Sequence, residues 1–496
     1  VLGRANVLLA CAVLVLTGHL AATAPARAQG GETCHTDSRA WRYVVLFDEG
    51  TSPSDAERVV RSACGALTEY YDDIAVAIAT SADPDFDRVV GTDRAFSAQR
   101  ARYERAHGST AEAPSATAEG ATDDRTGDFS GEQWDMQLTG ARLTPVEPAG
   151  LDDVTVGVLD SGIDAGHPDL ADAIDPDASA GCLTGVPDRR PSAWSPGPAE
   201  SSTAATHGTH VAGIVGAADD GHGVTGAAPG TRLASVRVVD DDGYVTPEAA
   251  VCGYLWAAHN GIDVTNASFT VAPSGVACAA SEGRKVVHEA VARAVEFADR
   301  SGTLNVAAAT NDGLDLAPLP HSDLHHAGDG NAGDGNDDGG WDEGRSDLAR
   351  ACVAVPAALQ ETLTVSAVDR HGTKADYSSY GRGVIDLAAP GGSDGDCVLS
   401  TVPGGYDRLC GTSMAAPHVA SAAAVLAADR SEDRSPAALR RMLLRQAQPI
   451  DCPADARETG TCTGPAEDNA FHGRGLVGAH AAHAVHRLLV RLGGQH

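Results

Sequence analysis

Aromatic residues are scarce in this 496-residue chain, 4% of the total, so alanine and valine must carry much of the packing. Basic charge is scarce too: 36 Lys and Arg stand against 68 Asp and Glu, giving a net charge of −32 and a pI near 4.8. No Lys/Arg cluster supplies the face that a nucleic-acid binder needs, and the acidity favours a soluble chain kept apart by repulsion. No apolar run reaches the length of a bilayer span; Val7–Leu16 is too short. There is no CxxC and no interleaved Cys/His set, which argues against zinc. No internal repeat is present.

What is present begins with Arg4, the short apolar run, and Ala26-Arg27-Ala28, a small-x-small cleavage pattern. Residues 1–28 therefore read as a secretory signal peptide, and the mature product is expected to be secreted, extracellular and free of the membrane. Cleavage removes Cys11 and leaves an even ten of the 11 cysteines, as disulfides in an oxidising compartment require. Cys34 and Cys64 stand together upstream. Nearness pairs Cys397 with Cys410 and Cys452 with Cys462, and Cys182–Cys252 and Cys278–Cys352 then follow.

Along the chain, Arg42–Phe47 and Ile74–Ala79 read as strands, Ser54–Cys64 as a helix capped by Ser54, and Asp83–Val90 as a short helix. Residues 97–128, rich in small and acidic residues, read as a linker. From Val154 to Val425, runs apolar on both faces (Val154–Leu159, Leu233–Val239, Leu304–Ala309, Leu363–Val368) alternate with helical candidates such as Pro247–Asn260 and Arg284–Ser301. That order predicts an α/β fold, a mainly parallel sheet flanked by helices on both faces. Asp334–Gly339 begins like a calcium loop, but its twelfth position is Arg345 where a Glu is needed. His321–Arg345 therefore reads as an acidic surface insertion.

Three stretches carry chemistry. Val156–Asp164 ends a buried strand in an acid, and the crevice of an open α/β sheet lies beyond such strand ends. An Asp there can hold an imidazole, although a turn aspartate is the commoner role. His207-Gly-Thr-His-Val-Ala-Gly213 opens an apolar helix. Its two histidines could ligate metal, but no Glu or third ligand follows. In Cys410-Gly-Thr-Ser-Met-Ala-Ala-Pro-His418, Thr412 and Ser413 can cap a helix whose free N–H groups favour an oxyanion. Pro417 is expected in its first turn.

The string Gly411–Ala420 closely resembles the nucleophile segment of the subtilisin-like serine proteases, the subtilases. Val156–Asp164 with Gly166-His-Pro-Asp-Leu170 resembles their aspartate motif, and His207–Gly213 their histidine motif. The likeness runs from about Trp41 to about His480, with the flavour of actinobacterial secreted enzymes. It implies a secreted serine endopeptidase, monomeric, acting on polypeptides and needing no cofactor for its chemistry. It assigns Asp160 as the acid, His207 as the base and Ser413 as the nucleophile, in the family's chain order. Asn311 and the Ser413 N–H form the oxyanion hole. Substrate lies between Asp242-Gly243-Tyr244 and Ser268-Phe269-Thr270, with Ala308, Ala309 and Thr310 walling the pocket.

The likeness also divides the chain into a signal peptide (1–28), an inhibitory propeptide (29–96), a linker holding the maturation site (97–128), a catalytic domain (129–485) and a tail (486–496). Asp169 and Asp219 fall where many subtilases hold calcium; a solvated acidic loop is the alternative. The family has glycine where Thr310 stands, and small residues where Phe269 and Thr270 stand. These departures predict a narrow pocket favouring small or medium apolar P1 side chains. Two rivals stay open: an inactive homologue in a binding role, and a dedicated maturation protease.

Overall fold

The computed structural model describes residues 34, 39–108, 127–141, 150–197, 204–271, 276–278, 282–317, 352–393, 395–429 and 433–478. The expected signal peptide, most of the linker, the His321–Arg345 insertion and the tail lie outside these residues.

The N-terminal unit runs β1 (Trp41–Leu46), α1 (Pro53–Ser62), β2 (Gly65–Tyr71), β3 (Val76–Ser81), α2 (Phe86–Val90), β4 (Ala95–Phe96) and α3 (Ala98–Gly108). Its antiparallel sheet has the order β2-β3-β1-β4. Strand alternation sends Tyr43, Val45, Ala77 and Ala79 to one face, against Val60 and Phe86 of its own helices. Val44, Leu46, Val76 and Ile78 take the other face and join the core of the larger body. Helix α1 is capped by Ser52, whose Oγ accepts from the Asp55 N–H, with Pro53 at the first helical position. The expected cap, Ser54, thus lies inside the helix, because Pro53 fits the first turn and pushes the cap one residue upstream of itself. Strand β2 is unforeseen; its register shift between Leu67 and Glu69 blurs the two-residue period.

The body contains α4 (Trp134–Leu138), β5 (Thr155–Asp160), β6 (Ala180–Gly181), α5 (Pro191–Trp194), α6 (Ala204–Gly216), β7 (Arg232–Arg237), α7 (Pro247–His259) and β8 (Val264–Ala267). It continues through β9 (Val276–Cys278), α8 (Glu282–Arg300), β10 (Leu304–Ala308), β11 (Cys352–Ala354), β12 (Thr362–Val368) and β13 (Leu387–Pro390). The hairpin β14 (Val398–Val402) and β15 (Gly405–Leu409) precedes α9 (Thr412–Ala428), α10 (Pro436–Gln446) and α11 (Ala454–Glu458). Seven strands form one parallel sheet in the order β13-β12-β10-β8-β5-β7-β6.

Each central strand is buried on both faces, which is why its sequence does not alternate. Val156 and Val158 pack with α6 and α9. Leu159 packs on the opposite side with α7 and α8. The expected parallel sheet and two helix layers are present. Four expected disulfides form: Cys34–Cys64, Cys182–Cys252, Cys397–Cys410 and Cys452–Cys462. For the fifth pairing, the antiparallel register sets Cys352 opposite Cys278.

Candidate active site

Asp160 is the last residue of β5 and is fully buried. Its Oδ1 accepts from the Ser161 N–H at 2.7 Å, which fixes the carboxylate at the strand end. Helix α6 brings His207 to it. Nδ1 lies 2.8 Å from Oδ1 and 3.0 Å from Oδ2, so Nδ1–H donates to the carboxylate and Nε2 is left as the basic atom. The helix can come this close because residue 208 is glycine. A Cβ there would stand 2.5 Å from the Gly162 carbonyl oxygen and 3.2 Å from the Asp160 Cβ. Burial acts to lower the His207 pKa, but the charge of Asp160 and its hydrogen bond outweigh burial and hold it above the usual 6.5.

Helix α9 carries Ser413. Gly411 is the N-cap and makes no side-chain capping bond, while Thr412 and Ser413 are the first two helical residues. The expectation that they cap is therefore corrected: the Thr412 hydroxyl turns to Asn311 Oδ1 at 2.8 Å, and the Thr412 N–H donates to the same oxygen at 2.9 Å. Those two bonds occupy the Asn311 oxygen and turn its amide nitrogen the other way. A Cβ on Gly411 would sit 3.3 Å from that nitrogen, so glycine keeps the space before it open.

Pro417 is likewise not in the first turn; it is the sixth residue of the helix. A proline lacks the N–H that would bond the carbonyl four residues back, which here is the carbonyl of Ser413. Ser268 Oγ donates to that carbonyl at 2.9 Å instead. Proline thus frees an acceptor on Ser413, and Ser268, just past the end of β8, supplies the donor. Ser413 Oγ in turn makes a weak 3.3 Å contact with the Ser268 carbonyl.

Thr310 has φ of 82°, a region that suits glycine and strains a β-branched residue. Its hydroxyl is bonded to Ser379 Oγ at 2.7 Å, its carbonyl accepts from the Ser379 N–H at 3.1 Å, and Ser379 Oγ accepts from the Leu314 N–H at 3.2 Å. Ala308 and Ala309 are buried beside it. The Thr310 hydroxyl is committed to Ser379. Phe269 is half-buried against the α7/α8 core. A parallel bridge, Val245 to Val271, joins the chain one residue past each of the two expected substrate segments.

Ser379 carries no sequence signal for this role, since its partner is distant in the chain. The same holds for Asp135 of α4. Fully buried, it meets His418 Nε2 at 3.2 Å, while His418 Nδ1 faces the Met414 carbonyl at 2.8 Å. This pair ties the α4 segment to α9, the helix of Ser413.

His210 is buried, and its Nε2–H faces the carbonyls of Val398 and Asp407, each at 3.1 Å. Burial first, then the nearby His207, pushes its pKa down to about 3. It is a neutral structural donor. Among the described residues no group of three or more His, Cys, Asp or Glu side chains converges as a metal site. Asp169 spends both oxygens on the protein, accepting from the Val224 N–H and the Tyr406 hydroxyl, each at 3.0 Å. Asp219 is exposed, with the Thr225 hydroxyl 3.5 Å away.

The profile of the subtilase family matches residues 152–475. Subtilisin DY of Bacillus licheniformis is 32% identical over 274 residues, covering 55% of this chain and 76% of that protein. Subtilisin of Bacillus pumilus is 34% identical with the same coverage. Among solved structures, the epidermin leader peptide processing serine protease of Staphylococcus aureus superposes with a TM-score of 0.62 at 18% identity, over 89% of this chain and 97% of that one, a likeness of fold.

Proposed function

The chain belongs to the subtilase family and is a serine endopeptidase acting on polypeptides, and from that premise we propose that Asp160, His207 and Ser413 form its catalytic triad. The observation that carries this reading is the His207–Asp160 contact, which spends Nδ1 and leaves Nε2 free to accept a proton. Ser413 Oγ leaves its weak contact with the Ser268 carbonyl, gives its proton to Nε2 and attacks the scissile carbonyl carbon. Asp160 stabilises the resulting imidazolium. The Ser413 N–H and the Asn311 amide nitrogen receive the developing oxyanion. His207 then returns the proton to the leaving amine, and water releases the acyl group by the same steps in reverse order.

The chain is made as a zymogen, with the N-terminal unit as the inhibitor and 97–128 as the cut segment. Several contacts support this. Arg293 donates to the carbonyls of Phe47 and Ile74, and Tyr71 OH donates to the Gly185 carbonyl at 2.8 Å. Arg42 reaches buried Glu248 at 3.6 Å. Helix α3 extends the unit onto the edge segment at 242–244. Among the described residues no helix is long and apolar enough to cross a membrane, and secretion is part of this proposal. The test is the Ser413→Ala protein purified alone. It should persist as an uncut precursor; efficient processing of it would remove self-cleavage.

A further inference from the structure

The edge segment contains a formed receptor for a guanidinium group. Asp240 and Tyr244 close a tight turn: the Asp240 N–H donates to the Tyr244 carbonyl at 2.9 Å, and the Gly243 N–H to the Asp240 carbonyl at 2.9 Å. Gly243, at φ of 81°, supplies the left-handed residue this turn needs. Asp240 Oδ1 accepts from the N–H groups of Asp242 (3.0 Å) and Tyr244 (2.8 Å), so its carboxylate is fixed by backbone and Oδ2 faces outward. Asp241 is spent on Arg237. Asp240, Asp242 and the Tyr244 ring therefore present two carboxylates and one aromatic face.

That receptor is filled by the chain itself. Arg102 of α3 sets Nη2 2.8 Å from Asp242 Oδ2 and Nη1 3.5 Å from Asp240 Oδ2, with its guanidinium carbon 3.8 Å from the centre of the Tyr244 ring. A planar cation stacked on an aromatic and forked to carboxylates is a fit that arginine makes better than lysine.

We propose that Asp240, Asp242 and Tyr244 form a specificity subsite for a basic side chain, arginine above lysine, and that Arg102 occupies it in the precursor as a stand-in for substrate. The proposal rests on the reading of the N-terminal unit as a removable inhibitor. A cut in the part of 97–128 that follows Arg102 puts Arg102, and so the matching substrate residue, on the acyl side of the scissile bond. The substrate class is thus a polypeptide with an arginine a few residues before the cleaved bond. This requirement is independent of the P1 pocket.

The test uses processed protein and matched peptides of one P1 residue, carrying Arg, Lys, Ala or Glu at each of the four positions before P1. Surface ion pairs and an exposed cation–π contact together support a preference of about tenfold. At one position kcat/KM should rise about tenfold from Ala to Arg, with Lys between and Glu below Ala. The preference should shrink at about 1 M salt, where screening reaches about 3 Å. The pair Asp240→Asn with Asp242→Asn should bring the Arg-to-Ala ratio to about one. Asp242→Asn alone, which touches none of the turn's bonds, should lower it part of the way.

The same peptides are titrated onto Ser413→Ala protein processed in trans. Arg-over-Ala preference in Kd without any cleavage by the parent would sustain the subsite and overturn the protease reading. Cleavage with Arg within twofold of Ala at all four positions, or a preference that survives the double variant, would overturn the subsite and leave the protease reading standing.

Discussion

Two stretches meet at the candidate oxyanion site, and they hold their shape by opposite means. Helix α9 is set by its own sequence: Gly411 leaves room for Asn311, small residues bury the helix, and Pro417 releases the Ser413 carbonyl to Ser268. The loop from Thr310 to Leu314 is set by its neighbours. Thr310 stands in a glycine-like conformation and stays there through Ser379, which bonds Thr310 twice and Leu314 once. The Ser413 side is locally determined and the Asn311 side is tertiary, so damage to distant residues should reach Asn311 before it reaches Ser413.

The largest effect belongs to the helix side. Ser413→Ala should lower kcat by about 10⁴-fold or more with little change in thermal stability, because its hydroxyl makes only a 3.3 Å contact. Next comes the junction itself. Asn311→Ala should cost about 10²–10³-fold in kcat, the general range for losing such a donor, with KM for a good peptide little changed. A loss confined to KM would break the assignment.

Thr310 sharpens the contrast. Thr310→Val keeps the strained backbone but discards the hydroxyl, and should cost about 1–3 kcal/mol of stability as Ser379 loses a buried partner, measured by chemical denaturation. Thr310→Gly relieves about 1–3 kcal/mol of strain against the same lost bond, and should lie within about 1 kcal/mol of the parent. If Val and Gly behave alike, the loop is not held in the way described.

The pH dependence follows from His207. Its raised pKa means that the His207–Asp160 contribution to stability is full below the ordinary 6.5 and fades as pH rises through the raised value. Activity does the reverse, climbing over that same interval as the neutral base forms. An activity optimum near pH 4 would contradict the base. The smallest effect concerns the pocket: Thr270→Gly should raise kcat/KM for Phe at P1 by about tenfold relative to Ala, since a branched side chain fills space that glycine leaves open.

Much of this was legible in the sequence. The strand ends at Asp160 and Ala308, the helices that start near His207 and Pro247, and the local disulfides Cys397–Cys410 and Cys452–Cys462 follow from local pattern and spacing. The rest depends on partners far along the chain. Nothing near Ser379 announces Thr310, nothing near Asp135 announces His418, and Arg102 meets Tyr244 only after folding. Pro417 was misplaced for a related reason: the helix begins immediately after Gly411, so the proline falls in the second turn, where its missing N–H is tolerated because Ser268 supplies a donor. Strand β2 was missed because a register shift breaks its alternation.

The central claim is that Ser413 is a nucleophile activated by His207. The most direct measurement is labelling of processed protein with a fluorophosphonate, followed by peptide mapping across pH. The account predicts one label, on Ser413, forming faster as His207 loses its proton, and none on the Ser413→Ala or His207→Ala proteins. An unlabelled Ser413 in processed protein, or equal labelling in the absence of His207, would contradict it.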